Sequence, residues 1–269
     1  MKKHQRKEAM NKAWPRISIV TPSLNQGNFI EKTIQSVLSQ EYPNLDYIII
    51  DGGSTDETLS ILSKYDGQIR FISERDQGQT DAINKGLRLA DGDILSYLNA
   101  DDILLPGSLK EVGSIFKVHT EVQWLTGRCK IIDEHGREVR GAIYHYKNLL
   151  LHSSSYRLLL VTNYISQPGT FWRRELLSRC GYFDPNLNWV MDYEYWLRIW
   201  KVASPYVHHH DLAGFRIQRR SKTTSNAHLQ DYIVEESLVV ERHSPLKIWR
   251  QLHDIHRLLM TGIYRFMNR

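Results

Sequence analysis

Two adjacent carboxylates, Asp101 and Asp102, end the stretch SYLNADD, directly behind the apolar residues Ile94, Leu95, Tyr97 and Leu98. Like charges held side by side repel, so a compensating cation belongs beside them. Hard oxygen ligands in such a position suit Mg2+ or Mn2+, which would remove the repulsion and bridge a substrate diphosphate. The competing use of Asp102 is as the cap of a short helix from about Leu105, with Pro106 at its start. Asp51 follows the run YIII and precedes Gly52 and Gly53, where the missing side chains let a ligand approach the backbone. Its carboxylate suits a base N–H or a ribose hydroxyl, or else it closes an Asx turn that ends the strand. Asp192 and Glu194 open an aromatic run ending at Trp200. A carboxylate in the first turn of a helix is kept ionised by the dipole, as a general base for a hydroxyl requires; an N-cap beside a surface Glu is the plainer alternative. His208, His209 and His210 suggest a metal cluster, but neighbours on an extended segment face opposite sides. At most His208 and His210 share one, and a ligand role for one of them is the lesser reading.

The elements that must position these groups follow from periodicity. Ile17 to Thr21 is a short β-branched run, and Ile30, Ile34, Val37 and Leu38 then recur at helical spacing. Tyr47 to Ile50 is a second strand. Ser54-Thr55-Asp56-Glu57 has the form of a capping box ahead of Leu59, Ile61 and Leu62. Ile69 to Ile72, a helix from Thr80 to Leu89, and a strand from Asp93 to Leu98 continue the alternation. Such βαβ units build a mostly parallel sheet covered by helices, and ligands of open sheets sit beyond the strand C-termini. Asp51 and Asp101-Asp102 both fall at that edge. Past residue 105 the rhythm loosens: Gln123 to Asp133 and Ala142 to Tyr146 read as strands, Asn148 to Val161 is mixed, and Arg173 to Cys180 is a short helix stopped by Gly181.

Composition narrows the classes. The chain has 269 residues, 41% hydrophobic and 24% charged, enough to bury a sizeable core. A net charge of +5 suits an anionic partner without selecting one, and nothing marks nucleic acid as that partner. Cys129 and Cys180 are too far apart for a zinc knuckle, and no disulfide framework exists. Neither GxGxxG nor a Walker A lysine loop is present. The basic arm 1–15 lacks an apolar segment behind it, and no apolar run approaches the ~20 residues of a membrane span. A cytoplasmic protein is expected.

Three segments, ISIVTPSLNQGNFIEKTIQSVLSQEYPNLDYIIIDGGSTDET, SERDQGQTDAINKGLRLADGDILSYLNADD and GTFWRRELLSRCGYFDPNLNWVMDYEYWLRIW, occur in this order. Together they resemble the inverting family 2 glycosyltransferases of the GT-A fold, from Arg16 to Ser225. The resemblance implies an α/β GT-A architecture, with a Rossmann-like, mostly parallel central sheet flanked by helices and a C-terminal helical extension. The expected organisation is an arm (1–15), a catalytic domain (16–225) whose 16–104 half binds nucleotide sugar and whose 105–225 half binds acceptor, and an amphipathic tail (226–269). The resemblance places Thr21, Pro22, Ser23 and Asp51 at the nucleotide base and ribose. Asp76 matches an acid at the donor site, with the helix bearing Asn84 behind it. Asn99-Ala100-Asp101, followed by Asp102, stands in the DxD position, with Asp101 the ligand for Mn2+ or Mg2+. Asp192 matches the catalytic base.

Three departures from the family pattern stand out. Asn99 replaces the first Asp of DxD, Met191 replaces the Glu of the ED motif, and Gln218 stands where many relatives carry a His that can contact metal or diphosphate. Arg219, Arg220 or Lys222 would then neutralise phosphate. The implied reaction is a single displacement from a nucleotide sugar, expected to be a UDP-sugar, to a hydroxyl of a glycan or lipid-linked saccharide, as in polysaccharide biosynthesis. A glycoside hydrolase would need no diphosphate-binding metal site. A non-catalytic nucleotide-sugar-binding module is the alternative that the altered motifs leave open.

The tail 244–269 repeats Ile248, Leu252, Ile255, Leu259, Ile263 and Phe266 at intervals that place one apolar stripe along a helix begun near Ser244-Pro245. Lys247, Arg250, Arg257, Arg265 and Arg269 oppose the single acid Asp254. The stripe packs onto the catalytic domain or a second subunit, giving a homo-oligomer, or else it lies in an anionic membrane interface with help from Lys2, Lys3, Arg6 and Lys7.

Overall fold

The computed structural model describes residues 14–218, 229–244 and 246–267. Strand β1 (Ile17–Ser23) is buried along its length, as its β-branched residues favour. Helix α1 (Ile30–Leu38) turns Ile30, Thr33, Ile34 and Val37 inward at helical spacing. β2 (Leu45–Asp51) lies parallel to β1, with Ser23 opposite Asp51. α2 (Thr58–Ser63), β3 (Arg70–Ser73), α3 (Gln79–Leu89) and β4 (Ile94–Tyr97) complete the expected alternation. The Ser54 capping box does not form. Ser54 turns its hydroxyl to Asp51, and Asp56 Oδ1 accepts from the Thr58 backbone N at 3.0 Å instead. α3 sits very close to β1, because a Cβ on Gly86 would meet Val20 Cγ1 at 2.3 Å.

The chain continues through β5 (Ile103–Leu104), α4 (Ser108–Val118), β6 (Trp124–Ile132), α5 (Gly141–His152), α6 (Tyr156–Val161), a 3-10 turn (Gln167–Gly169), β7 (Thr170–Arg173), α7 (Arg174–Cys180), α8 (Met191–Trp200) and β8 (Tyr206–Arg216). These strands form one eight-stranded sheet in the order β3-β2-β1-β4-β7-β6-β8-β5. β3, β2, β1 and β4 are parallel neighbours and β8 pairs parallel with β6, whereas β7 and β5 run antiparallel to their partners. The sheet is therefore parallel in its first half and mixed in its second. Strands β1, β2, β3, β4, β6 and β8 all end at one edge.

Two expectations fail here. Ala142 to Tyr146 is helical, within α5, where only Ile143 and Leu151 are buried. That wide spacing leaves almost no amphipathic signal to read. Asp102 does not cap a helix either: α4 starts at Ser108, behind Gly107 in a left-handed conformation (φ 86°).

Side chains alternate across the sheet, Tyr47 and Ile49 to one layer and Ile48 and Ile50 to the other. The second layer is aromatic, built on Trp124, Trp172, Phe183, Tyr195 and Trp196, with Trp124 and Trp196 stacked at 6.0 Å. Burying each large apolar side chain contributes about 1.5–3 kcal/mol. This packing fixes α8, and with it Asp192, against the sheet.

The tail forms α9 (Leu229–His243) and α10 (Lys247–Met267), which pack against α8 and α6 respectively. The expected apolar stripe does not pack onto the catalytic body. Ile248, Leu252, Ile255, Leu259 and Ile263 are 38–63% exposed, whereas His253, on the opposite side of α10, is 3% exposed. His253 faces Glu236 of α9 at 3.3 Å, and its ring stacks on Tyr193. Lys2, Lys3, Arg6, Lys7, Arg269 and the side chains of Arg265 and Phe266 lie outside what the structure describes. Among the described residues, no helix is long and apolar enough to cross a membrane.

Candidate active site

β1 and β2 end side by side, which brings Ser23 and Asp51 to one edge. Asp51 is fully buried. Its carboxylate accepts from the backbone N of Gly53 (3.1 Å) and Ser54 (2.9 Å), from Ser73 Oγ (2.7 Å) and from Ser54 Oγ. Asp51 thus closes the Asx turn of its alternative reading, with both oxygens engaged by its own neighbours. Ser23 Oγ, by contrast, is buried without a hydrogen-bond partner. Thr21 Oγ1 lies 3.1 Å from Tyr47 Oη, and Pro22 between these positions is buried. Gly52 has no side chain because a Cβ would lie 2.6 Å from Asp76 Oδ2. Asp76 therefore closes directly over the loop, held by the Gly78 backbone N, which donates to its Oδ1 at 2.9 Å.

Asn84 ties α3 to the loop before α8. Its Nδ2 donates to Phe183 O at 2.9 Å, and its Oδ1 accepts from Phe183 N at 3.1 Å. Both ends of the amide therefore clamp the 183 loop to α3.

Beyond β4 the paired acids meet their cation. Arg216, at the end of β8, is 2% exposed. Its backbone N donates to Asp102 Oδ1 at 2.7 Å, its Nε to Asp101 O at 2.7 Å, and its Nη1 to Asp133 O at 2.8 Å. Asn99 Nδ2 donates to Asp102 Oδ2 at 3.2 Å, while Asn99 Oδ1 accepts from Gln79 Nε2 at 2.8 Å. Buried Ala100 is anchored through its carbonyl, which accepts from Thr33 Oγ1 at 2.9 Å. Burial still raises both carboxyls above the ordinary range, Asp102 well above, and the neighbouring Asp101 adds to that rise. One guanidinium does not offset two desolvated carboxylates. Gln218 Nε2 donates to Asp101 Oδ2 at 2.7 Å. Asp101, whose carboxylate accepts from Gln218 while Asn99 holds the adjacent Asp102, offers hard oxygen ligands that fit Mg2+ or Mn2+. Arg219, Arg220 and Lys222 lie outside the described residues.

Asp192 occupies the first turn of α8. Tyr193 N donates to its Oδ1 at 2.7 Å. Burial raises its carboxyl above the ordinary value, opposed by that hydrogen bond, by the charge of Lys147 on α5 and by a hydrogen bond with Asn163. The rise moves it toward neutral pH, where a proton acceptor works best. Tyr97, at the end of β4, is held well above the usual phenol range, by its burial first and then by the charges of Asp192 and Asp102. Gln167 Nε2 donates to Tyr97 O, and Gln167 Oε1 and Asn163 Oδ1 are buried without partners. An unsatisfied buried polar atom costs about 1–3 kcal/mol, so Ser23, Asn163 and Gln167 mark where a ligand or water is needed. Glu194 serves a different purpose. It is 4% exposed, accepts from Arg198 Nη2 at 2.6 Å and faces His243 Nε2 at 3.2 Å, locked in an ion-pair network.

Lys147, Asn163, Gln167 and Arg216 escaped the sequence reading. Only the Gln167-Pro168-Gly169 turn offered a local signal, since Pro and Gly there mark a fixed bend.

Comparison with known proteins finds relatives over most of the chain. The family described as Glycosyl transferase family 2 matches residues 18–181. An uncharacterized glycosyltransferase of Rickettsia prowazekii (strain Madrid E) is 27% identical over 231 residues, covering 81% of this chain and 69% of the relative. One from Rickettsia felis is 26% identical over 260 residues, but the chain spans only 43% of its length. Among solved structures, the mannosyltransferase PcManGT from Pyrobaculum calidifontis, in complex with GDP-Man and Mn2+, superposes with a TM-score of 0.68 at 18% identity, over 91% of this chain and 70% of that one. TarS 1-349 of S. aureus in complex with UDP-GlcNAc gives 0.66 at 18% identity, over 88% and 70%. Those superpositions establish the GT-A architecture. The family match runs from the buried first strand through the acid pair to the end of α7, and on that ground the chain belongs to glycosyl transferase family 2.

Proposed function

We propose that this chain transfers a sugar, with inversion, from a nucleoside-diphosphate sugar to an acceptor hydroxyl of a glycan or lipid-linked saccharide. The observation that carries the reading is the acid pair Asp101 and Asp102, just beyond β4 at the sheet edge where the neighbouring parallel strands also end and β2 closes on Asp51. Asp192 takes the proton of the acceptor hydroxyl, and the oxygen attacks the anomeric carbon as the nucleoside diphosphate departs. Lys147 and Asn163 keep Asp192 ionised enough to act, against its burial. Asp101, aided by Asn99 and Gln218, holds the divalent cation, which when bound supplies charge neutralisation to the diphosphate. Thr21, Pro22, Ser23, Asp51 and Asp76 line the nucleotide side, where the buried Ser23 hydroxyl has no hydrogen-bond partner.

TarS and PcManGT hold UDP-GlcNAc and GDP-Man respectively, which makes these the first donors to test, with a UDP-sugar expected. A nucleotide-sugar panel with Mn2+, read by thermal unfolding, supports the reading if one donor stabilises the protein by about 2.7 kcal/mol at 100 times its Kd. If no donor does so, with or without Mn2+, the reading fails.

The outward stripe of α10 supports contact with an anionic membrane surface, where lipid-linked acceptors reside. Ile248, Leu252, Ile255, Leu259 and Ile263 offer a continuous apolar face, and exposed Lys247 flanks it. Arg250 is paired with Glu241, and Arg257 with Asp254. The apolar face therefore dominates, and salt should weaken binding only modestly. Flotation with phosphatidylserine-containing vesicles tests it: Leu252→Asp with Leu259→Asp should abolish binding. A protein that stays off vesicles and instead dimerises through α10 would replace the membrane by a second copy.

A further inference from the structure

β8 carries a second group of side chains able to ligate a metal, in the first half of the strand rather than at its catalytic end. Its register against β6 breaks there: Gly127 faces His208, and the next partners are Arg128 and Asp211. His209 and His210 form a bulge with no ladder partner, a device that re-aims side chains. The rings of His208 and His210 come to one side, 4.8 Å apart. α4 begins alongside, because Ser108 Oγ donates to Leu212 O at 2.6 Å, and its first turn brings Glu111 over both rings. One oxygen, Glu111 Oε2, lies 2.6 Å from His208 Nε2 and 3.2 Å from His210 Nδ1. The three candidate ligand atoms lie within 4.8 Å of one another.

We propose that Glu111, His208 and His210 form a site for a transition-metal dication, with Zn2+ as the first choice, separate from the oxygen site at Asp101. Two imidazoles and one carboxylate suit Zn2+, Ni2+ or Cu2+, whereas Mg2+ and Mn2+ prefer oxygen alone. Three protein ligands leave a fourth position for water or a further ligand, as in open zinc sites. With metal–ligand bonds of ~2.0–2.1 Å in a tetrahedron, ligand atoms stand about 3.4 Å apart. The Glu111–His210 separation is already close to that value. The Glu111–His208 pair needs to open by under ~1 Å, replacing a hydrogen bond with a shared ion. The His208 side chain is 15% exposed and that of His210 70%, giving one anchored ligand and one that can close from solvent. His209 points elsewhere, tilted against His152 at 5.2 Å, and is not a ligand. His208 and Arg216 are eight residues apart, about 26 Å of strand at ~3.3 Å per residue, so the ion staples α4 to β8 without entering the catalytic edge.

Calorimetry on tag-free protein, with Mn2+ saturating the oxygen site, tests the assignment directly. One equivalent of Zn2+ should bind and raise Tm, and Co2+ in its place should give the visible absorption of a tetrahedral nitrogen and oxygen environment. His210→Ala, at an exposed position that leaves the fold intact, should weaken Zn2+ by at least about tenfold, equivalent to 1.4 kcal/mol. Glu111→Gln should do the same, whereas Asp101→Ala should leave Zn2+ binding unchanged. Absence of Zn2+ binding, binding indifferent to both His210→Ala and Glu111→Gln, or binding lost only in Asp101→Ala would each overturn the proposal.

Discussion

Replacing Arg216 by Met removes the fixed cation of the acid pair while keeping most of the side-chain volume. The guanidinium donates to the carbonyls of Asp101, Asp133 and Glu134 at 2.7, 2.8 and 3.3 Å, and lies over the Phe29 ring at 5.5 Å. Hydrogen bonds from a charged donor contribute about 1.5–3 kcal/mol each, and the two short ones alone account for about 3–6 kcal/mol. Viewed as the loss of one partner from a buried charge cluster, the cost is about 3–5 kcal/mol. The two figures describe the same contacts and do not add. We expect a loss of about 3–5 kcal/mol, which for a chain of this size lowers Tm by about 6–20 °C. Arg216→Lys restores the charge without the planar fork and should fall between the two. The assay is thermal unfolding followed by circular dichroism at pH 7, with EDTA and then with Mn2+. Because the ion and Arg216 offset the same carboxylates, the Met variant should gain more from Mn2+ than the parent does. A Tm drop below about 3 °C in EDTA would refute the claim that Arg216 compensates the acids.

Asn84→Ala should lower stability by about 1–3 kcal/mol, since it strands the buried Phe183 amide, and leave donor affinity within about twofold; calorimetry with the donor checks the second half. Gly86→Ala forces a methyl into Val20 Cγ1 at 2.3 Å and should destabilise by about 1–3 kcal/mol in urea titration. Asp101, Asp102 and Asp192 all have carboxyls raised by burial, so the folded state holds protons that the unfolded chain releases near pH ~3.9. Their contribution to stability is complete below that value and is lost as pH rises through the raised folded values, so unfolding scans should show a falling limb there, which Mn2+ flattens.

How much of this was legible varies with how local the signal is. β1 to β4 and their helices follow from runs such as ISIV and YIII and from helical spacing, because each buries a face defined by its own residues. α5 was misread as partly extended, since its two buried positions are too far apart to impose a period. Asp101, Asp102 and Asp192 were visible as acids at element ends. Arg216 was not, because its partners Asp101 and Asp102 arrive from the far end of the chain through sheet pairing. Lys147 and Asn163 likewise acquire meaning only when α5 and the segment after α6 fold over α8. The tail displayed its stripe but not its orientation. The Glu236–His253 contact turns the other face of α10 inward, and a single helix cannot announce which face finds a partner.

The account rests on Asp192 as the base of an inverting displacement, and anomer-resolved NMR of donor turnover probes both parts at once. With Mn2+ and the donor that binds, the sugar first released should carry the anomeric configuration opposite to the donor's. Asp192→Asn should keep donor affinity within about twofold while lowering turnover by about 10²–10⁴. Retention of configuration, or near-parental turnover in that variant, would contradict the account.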